Sequence, residues 1–196
     1  MGRKSNAPER RDQIVWALYD CLVEKGHEKV TIKEIAKKAG LPPGVIHYYF
    51  KTKDEIVSNL GNAIIEKYST EIRILIRQAQ SPDQQVKSAI EFITDRLIFN
   101  LSLNRVFYNL IQMGFEREEL MTAVSHMFDN YRKQMASVFK AAGGKEESRL
   151  LSACLVAVAE GFSLQFMVDP KALSRKDVNT VIIGLIEDRL NIKIPE

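Results

Sequence analysis

The residues best suited to chemistry lie together in the stretch TIKEIAKKAGLPPGVIHYYFKTK, from Thr31 to Lys53. His47, Tyr48 and Tyr49 follow one another, Lys51 and Lys53 come just after, and the pairs Thr31 with Glu34 and Thr52 with Glu55 repeat one spacing on either side. An imidazole and phenols offer donors and acceptors to the edges of bases, and hydroxyls and ammonium groups suit phosphate oxygens. The chemistry on offer is therefore recognition of a nucleic acid.

Short helices must hold these side chains. In a Thr31/Glu34 capping box, hydroxyl and carboxylate satisfy backbone N–H groups that a helix start leaves without partners, so a helix begins at Thr31. Ile35, Ala36 and Ala39 keep one face small and apolar, Gly40 supplies the left-handed residue that ends the helix after about two turns, and Leu41 plugs the turn. Pro43 fits the first position of a second helix and forces Pro42 into the extended geometry of an N-cap. That helix runs roughly from Pro43 to Tyr49, with Val45, Ile46 and Phe50 turned inward and Gly44, His47, Tyr48 and Tyr49 outward. Thr52 with Glu55 opens a third helix and sets Lys51 and Lys53 at its N-terminal end, where anions are favoured. This is the sequence form of a helix-turn-helix. Gly44 leaves the second helix free of bulk where it approaches a groove, His47 and Tyr48 sit where base edges would be, and Lys53 aims a cation at a phosphate.

The run A-x-x-A-G-x-x-x-G-x-I-x-Y-Y-F-K-x-K resembles the DNA-binding domain of TetR-family transcriptional regulators. The likeness is close from about Arg10 to Ile56. Beyond that it rests on length, helical pattern and a loose similarity of GFSLQFMVDP to one regulator subgroup. The resemblance implies that Thr31 and Tyr49 contact phosphates and that Lys33, Gly44, His47 and Tyr48 approach bases, with Pro43 beside them on the DNA-facing surface. Pro42 and His47 stand where many members carry Ser and Tyr, which removes a side-chain phosphate contact at the cap and predicts a different base preference.

A length of 196 residues with 45% apolar side chains is ample for a buried core. The net charge is only +3, but residues 1–53 carry +5 and the remainder −2. The basic excess thus sits with the helix-turn-helix. No charged segment followed by an apolar run opens the chain, and Glu160, Ser163 and Gln165 interrupt the apolar stretch from Leu150 to Val168. We therefore expect a cytoplasmic protein with no membrane contact. Cys21 and Cys154 lie far apart within apolar helical patterns and read as buried free thiols, and no spacing suggests a cofactor or metal. There is no G-x-S-x-G elbow, Gly-rich phosphate loop or H-E-x-x-H, and the three histidines are scattered, so an enzyme is not expected.

The whole chain reads as all-α: a three-helix DNA-binding domain over residues 1–53 and a helical effector-binding and dimerisation domain over 54–196. Residues 1–7 read as a mobile arm. A first helix from about Pro8 to Lys25 is closed by Gly26, with Trp16 as a core or interdomain residue and His27 exposed in the following loop. A long helix from Thr52 joins the domains. Ser81-Pro82 starts the next helix, which carries Val86 to Ile98, and a short helix over Leu101 to Met113 is interrupted by Gly114. Further helices run from Glu116 to Ala142 and, largely buried, from Glu146 to Val168, and the last is capped by Ser174. The last two helices are expected to pair two copies of the chain in an antiparallel four-helix bundle, with Leu155, Val181 and Leu185 as contacts. Glu160, a carboxylate in the run CLVAVAEGFSLQF, lies either in that interface or in a ligand pocket, and the interface is the favoured place. His126 reads as a core or surface residue rather than a pocket donor. Phe107, Met127, Tyr131 and Phe166 are candidate walls of an apolar cavity for a small, mainly apolar effector. The partners expected are double-stranded operator DNA, that effector and a second copy. The function class is a sequence-specific repressor released by its effector. The alternative is a helical protein-interaction module that nucleic acid merely tethers.

Overall fold

A computed structural model describes residues 7–144 and 148–195, and no strand occurs among them. The helices are α1 (Ala7–Lys25), α2 (Ile32–Ala39), α3 (Pro43–Tyr49), α4 (Lys53–Gln78), α5 (Pro82–Phe92), α6 (Leu101–Glu116), α7 (Glu118–Ala141), α8 (Ser148–Val168) and α9 (Arg175–Leu190). A 3-10 turn, His27–Lys29, links α1 to α2, and a π-helical segment, Ile93–Ile98, continues from α5. The expected N-terminal arm lies outside the described residues, apart from Ala7, and so do Glu146 and Glu147.

The chain packs as two units, one made of Met1–Ile65 with Arg105–Ser125 and the other of Glu66–Asn104 with His126–Glu196. Packing therefore does not follow a single cut after Lys53. The stripe Ile56, Val57, Leu60 and Ile64 of α4 is buried in the first unit together with Ile14, Leu18, Leu22, Ile35, Ile46 and Phe50. The expected caps form: Thr31 and Glu34 make a reciprocal capping box, Gly40 ends α2 at φ 65°, Pro42 is extended before Pro43, and Ser81 and Ser174 accept from backbone N–H groups three residues on. Short α2 is held at its end by Gln13, whose Nε2 donates to Ala39 O at 2.7 Å.

Several expectations need correcting. Gly114 does not interrupt a helix but lies inside α6, where a Cβ would sit 3.2 Å from the Met121 backbone, so the glycine permits a close approach of α7. The helix from Ser81 does not stay α-helical to Ile98, because its end is a π-helix with Thr94 fully buried and its Oγ1 2.6 Å from Asn179 Oδ1. Helix α8 is not largely buried: only Ser148, Leu151, Ser152, Leu155, Ala159 and Ser163 are inside, while Leu150, Leu164 and Val168 are exposed. It is the described helix long and apolar enough to cross a membrane by length and composition. Within its own unit it packs on α9 and on the π-helix. Cys21 is buried but Cys154 is exposed, because it falls on the uncovered face of α8.

Candidate nucleic-acid interface

Helix α3 is only seven residues long, and its inner face is anchored by Ile46, fully buried, and by Phe50 just beyond its end. A helix so short is marginal by itself, so packing must set its direction. Arg11 of α1 supplies much of that packing. Its guanidinium stacks 4.1 Å from the Phe50 ring centroid, donates to Tyr49 O at 2.5 Å and pairs with Glu55 at 3.2 Å. Sequence reading missed Arg11, although its position three and seven residues before the core residues Ile14 and Leu18 puts it on the inward face of α1. Glu55 takes a further hydrogen bond from the Lys51 N–H at 2.9 Å, while its own N–H donates to Thr52 Oγ1 at 3.1 Å.

The outward face of α3 carries what sequence reading assigned to it. Gly44 and His47 are exposed, Tyr48 is 82% exposed, and Tyr49 is half-buried with its ring edge-on to Tyr48 at 5.0 Å between centroids. Pro43 at the start of α3 and Thr31 and Lys33 at the start of α2 are exposed as well. A large aromatic side chain left in water on a helix whose opposite side is locked in a core presents a ready contact for a partner surface.

Lys53 does not fit its expected role. Its Nζ donates to His27 O at 3.0 Å and to Val30 O at 2.7 Å, and burial, with Arg117 nearby, holds its pKa below the usual lysine value. The amine is turned inward onto the loop before α2 rather than out toward a phosphate, leaving Lys51 as the exposed cation of the pair. His27 is not exposed either. Its side chain retains 14% of its accessible surface and its Nδ1 lies 3.1 Å from Asn109 Oδ1.

In the second unit, Met127 is buried and Phe166 packs 4.9 Å from Phe99 between centroids. Burial, together with Tyr68 and Glu160, raises the pKa of the Tyr131 phenol. Tyr68 takes a hydrogen bond from Asn100 Nδ2 at 3.3 Å. Phe107, expected beside them, belongs to the first unit, where its ring meets Tyr108 at 6.1 Å. His126 is exposed. Two grooves open on this unit, one lined by Ile74, Leu75 and Phe92 among acidic residues and one by Arg132, Lys133 and Arg149, and neither is lined by Met127, Tyr131 or Phe166. Of the expected interface residues, Val181 is 55% exposed and Leu185 is half-buried. Leu155, at 1%, belongs to the protomer's own core. Glu160 is half-buried within a single copy of the chain, and desolvation there lifts its carboxyl to about 7.

A capped helix pair with an exposed aromatic and histidine face on a basic N-terminal segment defines a helix-turn-helix DNA-binding protein. The description "Bacterial regulatory proteins, tetR family" matches residues 14–60. Similar proteins include the HTH-type transcriptional regulator PksA of Bacillus subtilis, 23% identical over 95% of this chain and 93% of that protein. Another is the nucleoid occlusion factor SlmA of Haemophilus ducreyi, 26% identical over 84% of each chain. A transcriptional regulator from Pseudomonas aeruginosa shares the fold with a TM-score of 0.82 at 16% identity, over 94% of this chain and 91% of that one. So does FadR of Bacillus subtilis, solved in complex with stearoyl-CoA, with a TM-score of 0.77 at 18% identity, over 89% and 96%. Residues 14–60 thus match the DNA-binding domain of the TetR family, and the chain is similar over most of its length to transcriptional regulators.

Proposed function

We propose that this regulator binds a palindromic operator as a homodimer and represses transcription in the cytoplasm until a small, mainly apolar effector releases it. The observation that carries the DNA reading is the exposure of Tyr48 beside His47 and Gly44 on a helix anchored from behind by Ile46 and Phe50. His47 and Tyr48 read base edges, with Lys33, Pro43 and Gly44 close to the groove, and Thr31 and Tyr49 hold phosphates. Lys53 braces the loop before α2.

The homodimer reading rests on the apolar residues Leu150, Leu164 and Val168 of α8 and Val181 of α9, which the chain's own packing leaves exposed. Leu185 is half-buried on the same helix as Val181, and a second copy covering the exposed residues accounts for the apolar α8 without a membrane. The effector reading rests on Met127, Tyr131 and Phe166 in the second unit and gains support from the acyl-CoA complex of FadR.

Selection of duplexes from a random library by the full-length protein tests the proposal. We expect a two-fold symmetric consensus with nanomolar-range affinity, and His47→Ala should change the preferred base at one position of each half-site rather than weaken all sequences equally. An unchanged consensus with uniform loss would remove His47 from base reading, and no enrichment at all would favour the tethered interaction module. A screen of long-chain apolar compounds should find one that both raises the melting temperature and frees the operator. If none does, the effector class is wrong.

A further inference from the structure

The turn between α1 and α2 is fixed from outside the helix-turn-helix. Gly26 sits at φ 75°, ψ 166°, a region open essentially to glycine alone. The His27 N–H that follows donates to Asn109 Oδ1 of α6 at 2.7 Å. The Asn109 amide has a defined orientation, because its Nδ2 donates to Arg105 O at 2.7 Å and leaves Oδ1 facing the turn. Lys53 closes the other side by bonding His27 O and Val30 O. Arg117, in the link between α6 and α7, makes an ion pair with Asp54 in the first turn of α4, and Glu116 places a carboxylate oxygen 3.9 Å from His27 Nε2. His27, Lys53, Glu116 and Arg117 line one polar crevice with Glu28 and Met113, and these residues lie with Asn109 and Asp54 in the first packing unit.

We propose that Asn109 and Arg117 are positioning residues for operator binding, a latch supplied by the α6–α7 segment that holds the α1–α2 turn and the start of α4 and so sets the pose from which α2 and α3 meet DNA. Neither residue lies on the helix-turn-helix, and the proposal rests on the regulator reading above. Thr31, which caps α2, begins right after the latched turn, so freedom in the turn becomes freedom in the whole of α2 and in the α3 that packs on it. DNA binds the fraction of molecules in which that pose is held, and apparent affinity falls in proportion when the fraction drops. The two contacts differ in weight. Arg117 and Asp54 are both partly in water, where an ion pair contributes little, whereas truncating Asn109 leaves a half-buried N–H without an acceptor.

The test uses the full-length protein and the operator that the wild type selects. Asn109→Ala should bind roughly tenfold more weakly with an unchanged dependence on salt, since no phosphate contact is lost. In the absence of DNA, its His27 and Lys29 amides should exchange hydrogen faster than in the wild type. Arg117→Asp and Asp54→Arg should each weaken binding, by about twofold to threefold, and the double reversal should restore it. Wild-type affinity and exchange in Asn109→Ala would overturn the latch, as would a double reversal no better than either single change. The reversal series keeps the question open to measurement if Asn109→Ala fails to fold. If the wild type selects no operator, the regulator reading fails, while amide exchange at the turn still decides whether the latch exists.

Discussion

Burial at two groups changes what their charges do. Lys53 directs its ammonium at two carbonyls, so Lys53→Ala should lower the melting temperature and weaken every operator sequence without flattening the salt dependence. A phosphate contact would instead reduce the slope of log affinity against log salt by about one. Titrating operator binding against salt for the two proteins distinguishes these outcomes. Glu160 is the other case. Its carboxyl titrates at about 7 in the folded chain against a reference of 4.5, because burial disfavours the charged form. Between those values the folded state holds the proton that the unfolded state has released, so this group makes the protein less stable as pH rises from about 4.5 to about 7, and the loss is complete above that. Glu160→Gln should therefore match the wild type in melting temperature at the acid end and exceed it at the alkaline end, and parallel profiles would contradict the assignment. The exposed Tyr48 and the Thr31 cap were legible in residue types and spacing. The inward turn of Lys53 was not, since its acceptors are carbonyls of a loop more than twenty residues away that no local pattern reveals.

Helix limits followed from caps and breakers wherever these act locally. Ser81, Pro82 and Ser174 placed α5 and α9, and Gly40 placed the end of α2, because each satisfies or interrupts backbone groups within one turn. Gly114 misled for the opposite reason: its role is a tertiary contact with Met121, and glycine in a helix costs only about 0.5 to 1 kcal/mol relative to alanine, which packing readily offsets. The π-helix over Ile93–Ile98 has no signature in its sequence, and Thr94 meets its partner Asn179 only through tertiary folding. Helix α8 is apolar on nearly all sides in sequence, which suggested burial, yet its own unit covers only one face. If a second copy covers the rest, Leu164→Glu at a position 45% exposed should convert a dimer to a monomer in sedimentation at micromolar concentration while leaving the helical circular dichroism intact. A wild type that sediments as a monomer would remove the need for that cover.

Taken whole, the molecule puts its positive charge at one end of its sequence, with +5 over residues 1–53 and −2 over the rest. Helices α4, α6 and α7 each contribute residues to both packing units. For the proposed effector to release DNA it must bind the DNA-competent and incompetent states with different affinity, and a ratio of about 10⁴ carries the population from mostly bound to mostly released. All of this depends on two copies of α3 reading DNA together. The most direct measurement is a hydroxyl-radical footprint of the full-length protein on its selected operator. Two protected half-sites related by two-fold symmetry are expected, with centres about one helical turn or a small multiple of it apart, and both should be lost in Tyr48→Ala. Protection of a single site, or protection that is the same on any sequence and survives Tyr48→Ala, would contradict that expectation.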